Sequence, residues 1–267
     1  MSDLNNLVIV KLGGSVITHK ESSPPTVNKD NVYRIARELR THDGELIVVL
    51  GGGAHGHQAA HKYGFGKKST IREVLLEGVS PIRHSMTVLS LEIEQILNRE
   101  GVRAVVLPPF TMVTLQDRKI ADFPTEMIQR TLDSGLVAVT HGDVCFDNIL
   151  GASILSGDTI AVYLAKEMKA RALYIGTDVD GVLEDDPRVN PKAKHIEVID
   201  TSRWNAIIAK TGPSSATDVT GGMKKKLNEI STLVELDIDI AIFNLGVSNR
   251  LSSLLSGAST VCTRIQI

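Results

Sequence analysis

The pentapeptide KLGGS, residues 11–15, directly follows the apolar run Leu7–Val10. A short run of apolar, β-branched residues predicts a strand, so the lysine and the glycines fall at the strand's end. Glycine lets the backbone approach a ligand closely, and exposed N–H groups beside a fixed cation suit a polyphosphate. A plain Gly-Gly turn explains the same five residues. Taken alone, the segment leaves a phosphate site and a simple turn equally open.

Short apolar runs recur along the chain and alternate with amphipathic helical patterns. Most are continuously apolar, which is typical of strands buried on both faces of a parallel sheet. The pattern predicts an α/β fold, a three-layer αβα sandwich with a mainly parallel central sheet. The predicted strands are Leu7–Val10, Leu46–Leu50, Ala104–Leu107, Leu136–Thr140, Ala172–Ile175 and Ile238–Phe243. The predicted helices are Lys29–Leu39 with Asn28 as N-cap, Ile71–Arg99 interrupted near Pro81, Thr159–Met168 and Met223–Glu235.

The chain carries no internal repeat, low-complexity tract or long linker. We therefore expect one domain over residues 1–267, with two lobes that meet near residue 165, 1–165 and 166–267. The segments Gly151–Ser153 and Asp185–Asn190 are predicted to be turns, because glycine, aspartate and proline punctuate them.

Composition excludes several classes of protein. The 267 residues are 42% hydrophobic and 22% charged, with a formal net charge of −2, so no basic surface for nucleic acid is indicated. The two cysteines, Cys145 and Cys262, have no metal-binding spacing, and no signal peptide or membrane span is evident. A cytoplasmic protein without a membrane or nucleic-acid partner is expected.

The second glycine cluster, Gly51–His57, directly follows the predicted strand Leu46–Leu50. It matches the dinucleotide fingerprint G-x-G-x-x-G. That fingerprint also needs a second strand ending in an acidic residue about 20 residues further on. The segment 61–68 stands there instead and is no strand, which argues against a nicotinamide-dependent oxidoreductase. A Walker A loop is also absent from the sequence.

His57 lies where a helix is expected to begin, and a helix N-terminus with a histidine donor suits an anion. His55, His57 and His61 are alternatively metal ligands, but the glutamate of a zinc hydrolase is missing between His57 and His61. Anion binding is the preferred interpretation of His57, against a metal ligand or a buried structural histidine. His55 and His61 are interpreted as surface or supporting residues.

Further Gly and Asp residues fall at predicted strand ends or helix starts, the edge where open α/β sheets bind ligands. Each of them is by itself more often a turn or a cap than a site. These segments are Gly142-Asp143-Val144, Ser156-Gly157-Asp158, Thr177–Val182 and Asp218–Lys226. Lysines in the first turn of a helix oppose its dipole, so the three at the end of the last segment favour a polyphosphate nearby.

Together these motifs resemble the amino acid kinase superfamily, and within it the isopentenyl phosphate kinases. The resemblance covers nearly the whole chain. The motifs that carry it are residues 11–18 with Lys20, Gly51–His57, Gly142–Val144, Ser156–Asp158, Thr177–Val182 with Asp186-Pro187, and Asp218–Lys226. The resemblance implies the amino acid kinase fold, with the acceptor bound by lobe 1–165 and the nucleotide by lobe 166–267. It also implies transfer of the γ-phosphoryl group of ATP to an isoprenoid monophosphate. A fosfomycin-type phosphonate kinase, which has a similar histidine, is the alternative, and a nucleotide-binding regulator without catalysis is a more remote one.

The resemblance assigns catalytic roles to four residues. Lys11 would bridge the transferring phosphoryl group, Lys20 would be a second cation that stabilises the transition state, and His57 would hold the acceptor phosphate. Asp158 would orient Lys11 and Lys226 rather than act as a base. An acceptor that is already a phosphate anion needs no general base.

The resemblance also assigns binding residues. Those expected at ATP are Lys11, Gly13, Gly14, Ser15, Gly53, Asp178, Gly222 and Lys226. Those expected at the acceptor phosphate are Gly52, His57 and Gly142. Mg²⁺ would arrive with ATP without a dedicated protein site, and a homodimer is implied.

Two further features bear on the acceptor. An apolar pocket for the tail is expected from the helical region 71–97, although apolar residues at helical spacing are more often core. The candidates are Val74, Leu75, Met86, Leu89 and Leu91. The chain departs from the usual family pattern at Ala54-His55 and at His141, where relatives often have Ser-Phe and Tyr. These departures bear on which acceptor is used.

Overall fold

The apolar strands assemble into one large sheet. The computed structural model describes residues 6–19, 22–67, 70–185, 190, 192–200, 204, 207, 222–233 and 236–266. Its strands are β1 Val8–Leu12, β2 Leu46–Leu50, β3 Ala104–Val106, β4 Thr114–Gln116, β5 Lys119–Asp122, β6 Val137–His141, β7 Asp143–Asp147, β8 Gly151–Leu155, β9 Ala172–Thr177, β10 Val182–Leu183, β11 His195–Ile196, β12 Val198–Asp200, β13 Asp239–Asn244 and β14 Cys262–Gln266. Its helices are α1 Gly14–Ile17, α2 Lys29–Leu39, α3 Gly53–Lys62, α4 Arg72–Arg99, α5 Glu126–Asp133, α6 Gly157–Glu167, α7 Gly222–Ile230 and α8 Arg250–Leu255.

The main sheet has the strand order β12-β14-β13-β9-β1-β2-β6-β3. From β13 to β3 all neighbours are parallel, whereas β14 pairs antiparallel with β13. Strand β1 lies between β9 and β2, so the segment that follows it emerges in the middle of the sheet. The carboxyl ends of β1, β2, β6 and β9 meet along one edge.

Alternation along β1 shows why both faces of the sheet are covered. Val8 and Val10 pack into one core with residues of α2, α4 and α8. Ile9 packs into a second core with residues of α5, α6 and α7. The three-layer αβα sandwich is confirmed, and Asn28 caps α2 by accepting a hydrogen bond from the Asn31 N–H at 3.2 Å.

Two expectations from the sequence are wrong. Gly151–Ser153 is not a turn but the start of β8, which pairs with β7 in a second, four-stranded sheet. Pro81 does not interrupt α4, which runs unbroken through it. Proline removes one helical hydrogen bond, but the burial of Gly78 and Ile82 on either side holds the helix in place.

Asp147 is the polar centre of the small sheet. It is 2% exposed and accepts hydrogen bonds from the N–H groups of Asp117, Arg118, Ile149 and Leu150 and from the Ser153 hydroxyl. Asp117 and Arg118 both have positive φ, 47° and 65°, as a tight hairpin turn requires. Burial opposes the charge, but these donors outweigh it and lower the pKa of Asp147 to about 2.

We expect Asp147→Ala to reduce the free energy of unfolding at pH 7 by about 3 kcal/mol, because several buried donors lose their acceptor. Since the folded-state pKa is depressed, this contribution is present above about pH 4 and is lost as the pH falls towards 2. Urea denaturation at pH 7 and at pH 3 measures both effects. Asp122→Ala, at the exposed end of β5, is the control, and equal stability of the two variants at pH 7 would contradict the prediction.

Candidate active site

The carboxyl ends of β1, β2 and β9 open into one cavity of about 930 Å³. This is the edge of an open α/β sheet where ligands bind, and the volume suits a nucleotide-sized ligand. The lining residues are Lys11, Gly13, Gly14, Ser15, Thr18, Gly51, Gly52, Gly53, Ala54, His57, Gln58, His61, Ser156, Gly157, Asp158, Gly176, Thr177, Asp178, Val179, Gly222, Met223 and Lys226. Most of the predicted site residues are therefore brought together.

The two glycine turns pack backbone against backbone. A Cβ on Gly14 would lie 2.3 Å from the Gly53 nitrogen, and Gly53 itself has a φ of +49°. The Thr18 hydroxyl joins the two turns, because it donates to the Gly14 carbonyl at 2.8 Å and accepts from the Ala54 N–H at 3.1 Å. Only glycine fits at this contact. The contact forms the part of the cavity wall that lies where β1 and β2 end.

Asp158 pairs with two lysines from different elements. Its Oδ1 lies 2.9 Å from the Nζ of Lys11 at the end of β1. Its Oδ2 lies 2.6 Å from the Nζ of Lys226 in α7. Both lysines are more than nine-tenths buried. The cluster holds two positive charges and one negative charge, so an anion in the cavity would supply the missing countercharge.

The pKa values of this cluster reflect burial and mutual attraction. Burial disfavours the Asp158 carboxylate, but the two ammonium groups outweigh it and hold its pKa well below the usual range. Burial lowers the pKa of Lys226 to about 8, with Asp158 opposing the shift and Lys11 adding to it. Asp158 therefore stays ionised and cannot serve as a base near neutral pH.

His57 lines the cavity from the second turn of α3. The helix begins at Gly53, with Gly52 as N-cap, so the expectation that it begins at His57 is wrong. The N-terminal positive end of the helix is formed by Gly52 and Gly53 instead. His61, one turn further along, lines the same cavity.

Gly142 lies behind the cavity wall. Its N–H donates to the Leu50 carbonyl at 2.9 Å, and a Cβ there would lie 3.0 Å from the Gly157 nitrogen. Gly142 does not line the cavity, and its N–H is engaged by the backbone, so its role at the acceptor phosphate stays a prediction. Glycine is needed at this position to let β6 approach α6.

The unusual histidines also lie behind the wall. His55 is 4% exposed, and its carbonyl accepts from the Ser85 hydroxyl at 3.0 Å. His141 is fully buried beside Asp143, which forms an ion pair with Arg83 of α4. Burial lowers the pKa of His141 to about 4 and raises that of Asp143 to about 7, with Arg83 opposing the rise in Asp143. Neither histidine lines the cavity.

None of the five candidates for the tail pocket lines the cavity. Leu75, Met86 and Leu89 belong to the core, as apolar residues at helical spacing usually do. Leu91 is 62% exposed on the outer surface of α4. Met86 comes nearest to the site, since its sulfur lies 3.3 Å from where a Cβ on Gly56 would be.

Asp178, after β9, and Gly222, at the start of α7, line the far side of the cavity. Lys20, Asp186-Pro187 and the segment 218–221 lie outside the described residues. Three further lining residues had no role predicted from the sequence: Thr18 and Thr177, which belong to the motifs 11–18 and 177–182, and Gln58. A threonine four residues after Gly14, within reach of a carbonyl one helical turn back, was a signal for the first of these.

The α/β fold and a positively charged cavity at the sheet edge are typical of a phosphotransferase. The sequence profile of the amino acid kinase family matches residues 6–244, and the chain belongs to this family. Within it, the chain belongs with the isopentenyl phosphate kinases. It is 32% identical to the isopentenyl phosphate kinase of Methanothermobacter thermautotrophicus over 97% of this chain and 98% of that protein. It is 37% identical to the Methanocaldococcus jannaschii enzyme over 84% of this chain and 86% of that protein.

Solved structures agree with this assignment. A crystal structure of an isopentenyl phosphate kinase superposes with a TM-score of 0.85 at 29% identity and covers 98% of this chain and 100% of that one. A substrate complex of an isopentenyl phosphate kinase gives a TM-score of 0.78 at 25% identity, over 98% and 100% of the two chains.

The pKa of Lys226 predicts how nucleotide affinity depends on pH. Above about pH 8 this lysine loses its charge in the free protein, so the Kd for a non-hydrolysable ATP analogue should rise between pH 7 and pH 9.5. Bound phosphate favours the charged lysine, so binding near pH 8 should take up protons. Calorimetry in buffers of different ionisation enthalpy measures both quantities. Lys226→Arg, which keeps its charge, should flatten the profile, and a wild-type profile already flat over this range would contradict the assignment.

Proposed function

We propose that the protein transfers the γ-phosphoryl group of ATP to the phosphate of isopentenyl phosphate, which gives isopentenyl diphosphate and ADP. The observation that carries the proposal is the Lys11–Asp158–Lys226 cluster, which lines the same cavity as His57. Two fixed cations suit the triphosphate, and a separate donor suits a second phosphate. The names of the relatives support the acceptor.

The reaction is a direct in-line displacement. An oxygen of the acceptor phosphate attacks the γ-phosphorus, the bond to the β,γ-bridging oxygen breaks, and ADP leaves with the electron pair. The acceptor oxygen is already anionic, so no base is required. The protein contributes position and positive charge, which such a transfer mainly needs.

Each part of the cavity has its own proposed role. Lys11 bridges the transferring group, since it lies near the end of the central strand β1 and lines the cavity together with both glycine turns. Lys20 is proposed as a second cation at the transition state. The residues proposed for ATP are Lys11, Gly13, Gly14, Ser15, Gly53, Asp178, Gly222 and Lys226. Gly52 and His57 are proposed for the acceptor phosphate. Lobe 1–165 would thus bind the acceptor and lobe 166–267 the nucleotide.

Mg²⁺ is proposed to enter with ATP, bound to phosphate oxygens and water. In the described part of the chain, no group of three or more His, Cys, Asp or Glu side chains could hold a metal ion. Asp158, a carboxylate of the cavity, is engaged by two lysines. The ion would neutralise charge on the β- and γ-phosphates, while Lys11 and Lys226 would hold oxygens that it leaves free.

An oligomeric state and a cellular location are proposed as well. A homodimer is supported by Val88 and Leu91, which are 41% and 62% exposed on the outer face of α4. A cytoplasmic location is supported by two buried free thiols, Cys145 and Cys262. A place in a mevalonate-type route to isoprenoids is proposed from the names of the relatives. No helix among the described residues is both long and apolar enough to cross a bilayer.

A comparison of acceptors tests the proposed reaction. Purified protein with MgATP is given isopentenyl phosphate, dimethylallyl phosphate or fosfomycin, and ADP release is followed. We expect the highest kcat/KM with isopentenyl phosphate. A higher value with fosfomycin, or no turnover with either isoprenoid monophosphate, would overturn the proposal.

His57→Ala should raise the KM for the acceptor phosphate by at least about tenfold and change the KM for ATP by less than about twofold. The reason is that a hydrogen bond to a charged group contributes about 1.5–3 kcal/mol. Steady-state kinetics with each substrate varied in turn measures the two constants. The control is His61→Ala, one turn further along α3. Equal losses for ATP and acceptor in His57→Ala would count against the proposed role.

A further inference from the structure

A chain of three polar side chains connects α7 to the start of α6 beside the ion-pair cluster. The Ser156 side chain caps α6 by accepting the Thr159 N–H at 3.1 Å. Its oxygen lies 2.7 Å from the Thr159 hydroxyl oxygen. The Thr159 hydroxyl in turn donates to the Glu229 Oε1 at 2.8 Å. Helix α6 carries Asp158 and α7 carries Lys226, so this chain joins the two elements that form the Lys226–Asp158 ion pair.

We propose that Glu229 is a positioning residue for the nucleotide site, which fixes α7 on α6 through Thr159 and so sets Lys226 against Asp158. The proposal rests on the nucleotide-binding role of Lys226 proposed above. Glu229 touches neither substrate. It acts through the position of the helix.

Glu229 lies in an environment that is unfavourable for a carboxylate. Its side chain is 17% exposed, and its Oε2 has no hydrogen-bond partner among the described residues. Burial raises the pKa of Glu229, while the Thr159 hydroxyl and Lys225 oppose the rise and Asp158 adds to it. Burial of a carboxylate oxygen without a hydrogen-bond partner costs free energy. A role in positioning Lys226 would explain why the carboxylate lies there.

The order of donors and acceptors from Ser156 through Thr159 favours a hydrogen-bond acceptor at the position of Glu229. The Thr159 hydroxyl donates to Glu229, so it is free to accept from the Ser156 hydroxyl, whose oxygen accepts the Thr159 N–H. Each donor then has one acceptor. An ionised carboxylate can only accept, so it fixes this order.

Apolar packing fixes the rotation of α7 about its own axis less sharply than the Thr159–Glu229 hydrogen bond does. Leu227 and Ile230 are buried in the core shared with α6, but apolar contacts are non-directional. Lys225 lies 3.7 Å from Glu229 on the exposed side of the helix, with 48% of its side chain exposed. Such an exposed pair contributes little. The Thr159–Glu229 hydrogen bond is a directional contact between the two helices, in addition to the Lys226–Asp158 ion pair.

The experiment measures binding of a non-hydrolysable ATP analogue with Mg²⁺ by calorimetry, with no acceptor present. Glu229→Ala should raise the Kd by about tenfold, as the loss of a hydrogen bond to a charged acceptor implies. Glu229→Gln, whose amide oxygen can still accept from Thr159, should stay within about twofold of wild type. Thr159→Val should match Glu229→Ala, and the double variant should bind no worse than either single one.

Asn228→Ala is the matched control on the same helix, and it should leave the Kd within about twofold of wild type. A wild-type Kd in Glu229→Ala, additive losses in the double variant, or the same loss in Asn228→Ala would each overturn the proposal. If Glu229→Ala does not fold, Thr159→Val and Glu229→Gln test the same bond with little change in shape. Since no acceptor is present, these results are independent of whether isopentenyl phosphate is the acceptor.

Discussion

One carboxylate, Asp158, holds two buried ammonium groups that come from distant parts of the chain. Lys11 ends the central strand β1, and Lys226 lies in α7. Without the carboxylate the two lysines would repel each other in a buried setting, and either one alone would be costly to desolvate. With it, the cluster keeps one surplus positive charge facing the cavity. This surplus charge favours a bound anion, and the surrounding backbone determines where the three groups lie.

The backbone around this cluster is set by close approach rather than by side-chain packing. Gly14 and Gly53 meet where no Cβ would fit, and Thr18 joins their turns. Gly142 allows β6 to lie against the start of α6. These contacts bring the ends of β1, β2 and β6 together at one edge of the sheet.

Much of the fold was predictable, because continuous apolar runs such as Leu46–Leu50 have few other interpretations. The strands β7 and β8 were harder, since Gly151–Ser153 carries turn residues and only the pairing with β7 makes it a strand. The two lysine partners of Asp158 were predicted from the family resemblance. The spacing of residues along the sequence gives no information on contacts between distant segments. Gly142 shows a second limit of prediction from sequence. A glycine after a strand suggests a phosphate-binding site, whereas the N–H of Gly142 is engaged by the backbone.

We expect the cluster around Asp158 to direct the γ-phosphoryl group of ATP to a second phosphate rather than to water. Phosphorus NMR of purified protein with MgATP and isopentenyl phosphate tests this most directly. The monophosphate signal should be replaced by two coupled diphosphate signals, in step with the conversion of ATP to ADP. An unchanged monophosphate signal, with or without the appearance of inorganic phosphate, would contradict it.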